Sequence, residues 1–420
     1  SLGCDSGESG DGKGGPVTPP DFSPASIEQV ADHKGWGWET FVLENGYIRL
    51  AAVPAIGGRV MEFSLNDHES IWVNQSQVGS TPSPSAGPWP NHGGYKNWPA
   101  PQSRWNWPPP PTLDYGPYTA SIVHQSADSV SVRLEGPVEQ IRTPGLRFAR
   151  TITVYAGSSR ARVEQTIVNE GSTESTWSVW DITQTLAQHA PARDFDNFRV
   201  YFPINPNSRY GEQGVRTDRS SAAWAGPIAG GIYEVRFSPD NAKLFADSRA
   251  GWVCYVDLRD GYAYAKTFPV FPEESYPDQG SDVEVYVSNQ NYYEVEVLSP
   301  MASIPGGGGS YTFTEDWWAA RTEGPVLALN GIGLVNDPLE VTDVGRISGT
   351  FGVFHAGLAS VVFVDANNQE VGRSDPLRAE PTELLKLDLS VEVPTGAVRA
   401  DLIVDAPNGA RVGVLTSVGL

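Results

Sequence analysis

The segment with the densest chemistry in the chain is residues 89–118, WPNHGGYKNWPAPQSRWNWPPPPTLDYGPY. Flat aromatic rings are interleaved here with hydrogen-bonding side chains. That combination suits a sugar, which has apolar C–H faces and a rim of hydroxyl groups. We predict that the segment binds carbohydrate through Trp89, Lys96, Trp98, Gln102, Trp105, Trp107 and Asp114. The alternative is that the tryptophans plug the end of a β-sandwich.

Proline is frequent in the same segment, with four in a row at 108–111. Proline lacks an N–H and pushes the preceding residue into an extended conformation, so we predict neither a helix interior nor a central strand. We expect a long, ordered loop. Its rings are then presented at little entropic cost, because proline fixes the backbone in advance.

A pair of carboxylates lies in YYEVEVLSP, residues 292–300. In a strand, positions i and i+2 project to the same face, so Glu294 and Glu296 point the same way. Two carboxylates on one face are costly in a dry core, so we expect that face to be wet or the charges to be paired. The alternative is a solvent-facing strand whose Val295 and Val297 face the core.

Other polar residues are candidates to line a binding cleft. They are Arg59 after Gly57-Gly58, Gln184 in WDITQ, Lys266 in AYAKTF and Tyr276 in YPDQG. No Cys/His or HExxH spacing predicts a zinc site. No glycine-rich loop precedes a predicted helix, so nucleotide binding is unsupported. We therefore expect no metal and no cofactor.

The balance of charge limits the partners. Lys+Arg is 29 against Asp+Glu 50 in 420 residues, a formal net charge of −21. This acidity argues against nucleic acid and against anionic membrane surfaces as partners. The two cysteines, Cys4 and Cys254, imply no disulfide framework. No apolar stretch is long enough to span a bilayer, so any membrane association depends on the N-terminus.

Residues 1–25 are rich in Gly, Ser, Asp and Pro and predict a flexible tail. The start, SLGC, is similar to the end of a bacterial lipoprotein signal, in which a small apolar group and Gly3 precede a lipid-bearing Cys4. We expect lipidation of Cys4 and an extracytoplasmic protein, anchored in the periplasm or at the cell surface. The alternative is an incidental cysteine in a tail.

The remaining sequence predicts an all-β fold. From about residue 38, alternating apolar positions are broken by turn pairs such as Asn45-Gly46, and they favour long antiparallel sheets stacked face to face over residues 26–322. From about Val326 aromatic residues become rare and short Val/Ile/Leu strands follow. We predict a small, immunoglobulin-like β-sandwich over residues 323–420.

Residues 40–320 resemble the galactose-mutarotase-like superfamily, specifically bacterial proteins with a DUF4380-type domain of unknown function. The matching segments are, in order, NGYIRLAAVPAIGGRVMEF, GGYKNWPAPQSRWNWPPPP, WDITQ, YPDQGSDVEVY, YYEVEVLSP and EDWW. The resemblance implies a β-supersandwich whose concave sheet binds carbohydrate.

The resemblance also implies roles for single residues. Mutarotase-type chemistry needs a base for the anomeric hydroxyl proton and an acid for the ring oxygen, usually a glutamate and a histidine. The resemblance favours Glu296 as the base, with Glu294 beside it, and His92 as the acid. His189 is its candidate for a second histidine that orients the sugar.

Two classes of function follow. The first is a carbohydrate-active enzyme: an aldose 1-epimerase-like isomerase, a hydrolase using Asp114 and Glu296, or a polysaccharide lyase using Lys96, Arg104 and Arg59. The second is a non-catalytic surface or structural protein that recognises mono- or polysaccharides or assembles with partners. The lipoprotein-like start and the additional sandwich favour the second class.

Overall fold

The computed structural model describes residues 17–189, 194–342 and 344–420. Within these residues nearly all regular structure is β-strand, which confirms the all-β prediction. Two large antiparallel sheets are stacked on each other, and a small β-sandwich follows them in the chain. No helix in the described ranges is both long and apolar enough to cross a membrane.

The large sheets are built from strands β1 (Ser26–Val30), β2 (Thr40–Glu44), β3 (Ile48–Val53), β4 (Arg59–Leu65), β5 (His68–Glu69), β6 (Tyr95–Ala100), β7 (Thr119–Gln125), β8 (Ser129–Glu135), β9 (Leu146–Tyr155), β10 (Ala161–Asn169), β11 (Ser175–Leu186), β12 (Phe198–Pro203), β13 (Val215–Thr217), β14 (Trp224–Ile228), β15 (Ile232–Arg236), β16 (Ala242–Ala246), β17 (Trp252–Asp257), β18 (Tyr262–Thr267), β19 (Val283–Val287), β20 (Tyr292–Leu298), β21 (Ala302–Ile304) and β22 (Gly309–Arg321). Short helical turns lie between them: α1 (Pro111–Tyr115), α2 (Pro277–Gly280), and 3₁₀ turns at His33–Gly35, Pro54–Ile56, Gln102–Arg104, Phe195–Asn197 and Ala229–Gly231.

The first sheet has the order β1-β2-β3-β4-β6-β11-β20-β19-β16-β13, with β5 on β4 and β21 on β11. The second sheet has the order β14-β15-β12-β17-β18-β22-β10-β9-β8-β7. One face of each sheet packs against the other, so Phe63 and Tyr95 of the first sheet contact Tyr264 and Trp317 of the second. The opposite face of the first sheet is therefore free to carry polar side chains.

Strand β6 corrects the prediction that the proline-rich segment holds no central strand, because it lies between β4 and β11. It pairs with β11 along its length, but with β4 only at its first residue. At Pro99 the backbone points away from β11, since the opposite Val179 N–H donates to Ser299 and the Pro99 carbonyl accepts from Trp105. The missing N–H thus faces the side where β4 no longer pairs, and no ladder bond is lost.

The C-terminal sandwich consists of β23 (Ala328–Leu329), β24 (Gly333–Val341), β25 (Arg346–Val353), β26 (Gly357–Asp365), β27 (Glu370–Arg373), β28 (Leu377–Ala379), β29 (Leu384–Ser390), β30 (Ala397–Asp405) and β31 (Arg411–Gly419). Its two sheets have the orders β23-β24-β25-β29 and β27-β26-β30-β31, with β28 on β26. It packs on the outer face of the second large sheet, where Trp318 stacks on Phe354 at 5.0 Å. Cys254 is buried in the same apolar cluster.

Candidate functional site

A pocket of about 470 Å³ opens on the outer face of the first sheet. Its volume lies in the range of small-molecule sites, about 300–1,000 Å³. The lining consists of Trp89, Trp98, Gln102, Trp107, Trp180, Asp218, Asn241, Lys243, Tyr286, Ser288, Asn289, Gln290, Tyr292 and Glu294.

Strand register assembles the floor of the pocket. Trp98 of β6 lies opposite Trp180 of β11. Glu294 of β20 lies opposite Tyr286 of β19, which in turn lies opposite Lys243 of β16. Residues opposite each other in antiparallel strands share a face, so these five side chains all project outward. One continuous surface is thereby formed by the neighbouring strands β6, β11, β20, β19 and β16.

Four tryptophans form the aromatic wall of the pocket. Their rings meet edge to face, with centroids 5.8 Å apart for Trp89–Trp98, 5.0 Å for Trp89–Trp107 and 5.3 Å for Trp98–Trp180. Trp98 is nearly buried, whereas Trp107 is 53% exposed. Edge-to-face contacts hold such rings in fixed orientations. The wall therefore combines a rigid base with one exposed indole at the mouth.

A buried carboxylate fixes two of these indoles. Asp114, in α1, accepts hydrogen bonds from Trp89 Nε1 at 2.6 Å and from Trp98 Nε1 at 2.7 Å. It also accepts from Arg59 Nη2 at 2.8 Å, and neither side chain of that ion pair is exposed. Burial lowers the pKa of Arg59, and the charge of Asp114 opposes that shift. Asp114 is thus a support for the aromatic wall.

Glu294 reaches the pocket from the floor and is 8% exposed. Its Oε1 accepts hydrogen bonds from Lys96 Nζ at 3.0 Å and from Gln184 Nε2 at 2.9 Å. Lys96 Nζ also lies 5.4 Å from the ring centroid of Trp89 and 5.2 Å from that of Trp98. Burial lowers the pKa of Lys96, although Glu294 opposes this. Both donors hold the same oxygen of the carboxylate, Oε1, and Glu294 still lines the pocket.

Lys243, in the floor of the pocket, bridges two buried carboxylates. Its Nζ lies 2.7 Å from Glu284 Oε2 and 2.8 Å from Glu296 Oε2. Trp180 Nε1 donates to the same Glu296 oxygen at 2.5 Å. Burial raises the pKa values of Glu284 and Glu296, and Lys243 acts in the opposite direction. Burial would lower the pKa of Lys243, but the two carboxylates outweigh it and raise that pKa.

Nine of the predicted site residues lie in the pocket lining or directly behind it. Trp89, Trp98, Gln102, Trp107 and Glu294 line the pocket. Directly behind this lining, and bonded to it, lie Lys96, Gln184, Asp114 and Glu296. Glu294 and Glu296 share a face as the alternation predicts, and each carboxylate is paired with a lysine.

The two histidines suggested by the resemblance lie elsewhere. His92 is buried, with Nε2 3.1 Å from Ser80 Oγ and its ring against Trp38. Burial and then the Arg59 charge lower the pKa of His92 to about 4. It is outside the pocket lining, so the structure does not bring it together with Glu296 and Glu294 at the pocket. His189 pairs with aspartates at a different position.

Four further predicted residues also lie outside the lining. Arg59 is buried behind it with Asp114, as described above. Lys266 is buried between the two large sheets, where it pairs with Asp181, because strand alternation places it on the inner face of β18. The Tyr276 hydroxyl oxygen accepts a hydrogen bond from the Phe271 N–H at 3.1 Å. Trp105 is buried behind the wall, and its indole N–H donates to a main-chain carbonyl at 2.7 Å. These residues have structural contacts that account for them.

Several lining residues had not been identified from the sequence: Asp218, Asn241, Lys243, Ser288, Asn289, Gln290 and Tyr292. The polar turn 288–291, SNQN, directly precedes the glutamate strand β20 and was a usable local signal. Lys243 carries no such signal, because only the pairing of β16 with β19 brings it to the pocket.

No family model matches the chain, and no curated protein sequence matches it. Among solved structures, the fold is similar to a TPR-domain containing protein from Parabacteroides distasonis, with a TM-score of 0.46, 12% identity, and coverage of 70% of this chain and 49% of that one. The chain thus spans about half the length of that protein.

It is also similar to a Synechocystis protein (TM-score 0.46, 14% identity, coverage 73% and 100%). A galactose mutarotase related enzyme from Lactobacillus acidophilus gives a TM-score of 0.45 at 10% identity, with coverage of 68% and 98%. At these identities and TM-scores the similarities carry no information about activity.

Proposed function

We propose that the protein recognises a neutral saccharide in the pocket on the first sheet. The observation that carries this proposal is the meeting of four tryptophans with amide, hydroxyl and carboxylate groups around one cavity of about 470 Å³. Indole faces pack against the C–H faces of a sugar ring, and the polar groups bond its hydroxyls. The likeness of the sequence segments to the galactose-mutarotase-like superfamily supports the same ligand class.

The charges around the pocket favour a neutral sugar over a uronate. Among the described lining residues Lys243 is the one cation, and it already pairs with two carboxylates. An anionic ligand would also meet Asp218 and Glu294. The cations considered for a lyase lie elsewhere, since Arg59 pairs with Asp114 and Arg104 lies over Trp177 at 3.8 Å. A hydrolase pair of Asp114 and Glu296 would lie behind the lining.

A glycan-array screen followed by calorimetry on any hit tests the proposal. Trp107→Ala should weaken binding about tenfold, the loss expected for an interface aromatic worth somewhat over 1 kcal/mol. Its effect on stability should stay within about 0.5 kcal/mol, because the ring is largely exposed. The matched control is Phe271→Ala, which removes an aromatic ring that is 40% exposed and outside the lining. Equal affinity of the two variants, or no hit for wild type, contradicts the proposal.

Glu294 favours a second candidate function, epimerase-type proton transfer. It is a carboxylate with access to the pocket, and Lys96 and Gln184 hold it in place. It would take the anomeric hydroxyl proton as the base, and water in the pocket would protonate the ring oxygen as its bond to the anomeric carbon breaks. Anomer-exchange NMR on a bound sugar tests this: exchange faster than in buffer that is lost in Glu294→Gln supports it. Binding without accelerated exchange leaves recognition as the function.

We also propose that the protein is lipid-anchored outside the cytoplasm through Cys4. Cys4 lies outside the described residues, and the proposal depends on the SLGC sequence. Incorporation of labelled palmitate by the wild type and not by Cys4→Ala, in a bacterial host, is the expected outcome. Equal labelling of both forms, or of neither, would contradict it.

A further inference from the structure

Two histidines and two aspartates converge at a point outside the pocket lining. His68 Nε2 lies 3.0 Å from Asp257 Oδ2 and 3.6 Å from Asp260 Oδ2. His189 Nε2 lies 2.7 Å and 3.7 Å from the same two oxygens. The donor atoms of His68, Asp257 and Asp260 all lie within 4.8 Å of one another. This cluster is unrelated to the tryptophan wall.

The cluster joins the two large sheets. His68 is in β5, which pairs with β4 of the first sheet, and His189 follows β11 of that sheet. Asp257 ends β17 of the second sheet, and Asp260 lies in the turn before β18. Because three distant segments supply the groups, no local sequence spacing could reveal them.

The histidine–aspartate separations are in the range found between ligand atoms of one metal ion. Ligand atoms about 2.0–2.2 Å from a zinc ion stand roughly 3.3–3.6 Å from one another in a tetrahedron. The four histidine–aspartate separations given above, 2.7 to 3.7 Å, bracket that distance. Two neutral imidazoles and two carboxylates also balance the charge of a divalent ion, and imidazole is a ligand that first-row transition metals prefer.

The supporting contacts of His189 and Asp257 engage the atoms of these side chains that face away from the other ligands. His189 Nδ1 lies 2.7 Å from Asp194 Oδ2, so its Nε2 faces the aspartates. Asp257 Oδ1 accepts the backbone N–H groups of Arg259 and Asp260 at 3.1 Å and 3.3 Å, which leaves Oδ2 for the histidines. Carboxylate–histidine–metal arrangements of this kind orient metal ligands in proteins.

Packing fixes the remaining histidine. The His68 ring stacks on Tyr262, with centroids 3.9 Å apart and planes 7° from parallel. Asp257 is almost fully buried, and both histidines are mostly buried. Arg259 donates to both oxygens of Asp260 and holds its carboxylate at the rim. The site is thus preformed on three sides and open to solvent at Asp260.

We propose that His68, His189, Asp257 and Asp260 bind one divalent transition-metal ion, with Zn²⁺ as the ion to test first. The ion ties the β4–β5 hairpin and the chain after β11 to the β17–β18 turn. It stabilises the sandwich because it binds the folded chain and lacks a preformed site in the unfolded one.

The test is calorimetric titration of ZnCl2 into full-length, tag-free protein that has been stripped with EDTA and freed of chelator. Wild type should bind one Zn²⁺ per chain, and saturation should raise Tm by about 2–4 °C. His68→Gln and His189→Gln should each weaken binding at least about 100-fold, because each removes a ligand. His124→Gln is the matched control, since His124 is exposed on β7, and it should bind like wild type.

A second variant keeps the test valid if a ligand substitution impairs folding. Asp194→Asn leaves all four ligands in place and should weaken Zn²⁺ binding about 10- to 100-fold. Co²⁺ should give the intense visible bands of a tetrahedral site in wild type and not in His68→Gln. Absence of binding to wild type, or equal binding by wild type and the His68 and His189 variants, overturns the proposal and leaves the cluster as hydrogen-bonded ion pairs.

Discussion

Asp114→Asn is the substitution that most sharply tests how the aromatic wall is held. The carboxylate accepts three hydrogen bonds, from Trp89 and Trp98 at 2.6 and 2.7 Å and from Arg59 at 2.8 Å, and it is fully buried. An amide of the same shape offers one acceptor oxygen and turns an N–H toward the remaining donors. The substitution therefore removes the charge partner of Arg59 and leaves at least one indole N–H without an acceptor.

The magnitude follows from the burial. Removing one partner of a buried ion pair costs about 3–5 kcal/mol, because the other charge stays uncompensated. An orphaned buried donor costs about 1–3 kcal/mol. The two effects share Asp114 and are not additive. We expect a loss of about 3–5 kcal/mol in the free energy of unfolding, together with a loss of saccharide affinity as Trp89 and Trp98 lose their anchor.

Urea unfolding followed by tryptophan fluorescence measures this loss. Asp128→Asn is the control, since Asp128 is exposed, and its free energy of unfolding should stay within about 0.5 kcal/mol of wild type. The double variant Arg59→Met/Asp114→Leu should be more stable than Asp114→Leu alone, because it leaves no unpaired charge. A loss below about 1 kcal/mol in Asp114→Asn, or a double variant less stable than Asp114→Leu, would refute the assignment of Asp114 as the support of the wall.

Two further predictions concern the surroundings of the site. Gly57 has φ +84°, and a Cβ there would lie 2.0 Å from the main-chain oxygen of Asp114, whereas Gly211 has φ +91° with nothing within 4 Å. Gly57→Ala should therefore destabilise the protein in urea by about 1–3 kcal/mol more than Gly211→Ala does; similar losses would contradict the close approach. The second concerns His92, whose pKa is lowered from 6.5 to about 4 by burial, so that the unfolded chain takes up the proton first as pH falls. The stabilisation that this pKa difference gives to the folded chain is fully present above about pH 6.5, and about 3 kcal/mol of it is lost between pH 6.5 and 4. His92→Gln should therefore flatten the pH dependence of the free energy of unfolding in urea over that window, and an unchanged slope would contradict the burial argument.

Most of the fold could be predicted from the sequence, because the signals for its strands and turns are local. Two-residue alternation and turn pairs identify the strands, and the loss of aromatic residues after Val326 marks the change to the small sandwich. Strand β6 was missed because proline excludes a central strand only where its N–H would have a partner. Pro99 faces the side where β4 no longer pairs, which depends on the register of three strands.

The site could be predicted only in part, for a related reason. The tryptophans and Glu294 stand in segments whose composition is unusual on its own. Lys243 stands in an ordinary strand, and only the pairing of β16 with β19 places it beside Glu284 and Glu296. Lys266 shows the converse error, since a lysine in a strand was assigned to the cleft although alternation placed it between the sheets.

The pairing of Asp114 with Arg59 likewise spans 55 residues and has no local signature. His68 and Asp257, which lie 3.0 Å apart in the metal-site cluster, are separated by 189 residues in the sequence. Long-range polar pairing of this kind is set by the fold and cannot be read from spacing.

We propose that a saccharide binds between the tryptophans and the floor of the first sheet. A crystal structure with the best glycan-array ligand is the decisive test. We expect one sugar ring packed against Trp107 and hydrogen-bonded to Glu294, with Lys243 still between its two carboxylates. A sugar bound elsewhere on the chain, with the tryptophan pocket unoccupied at saturating ligand, would contradict the claim.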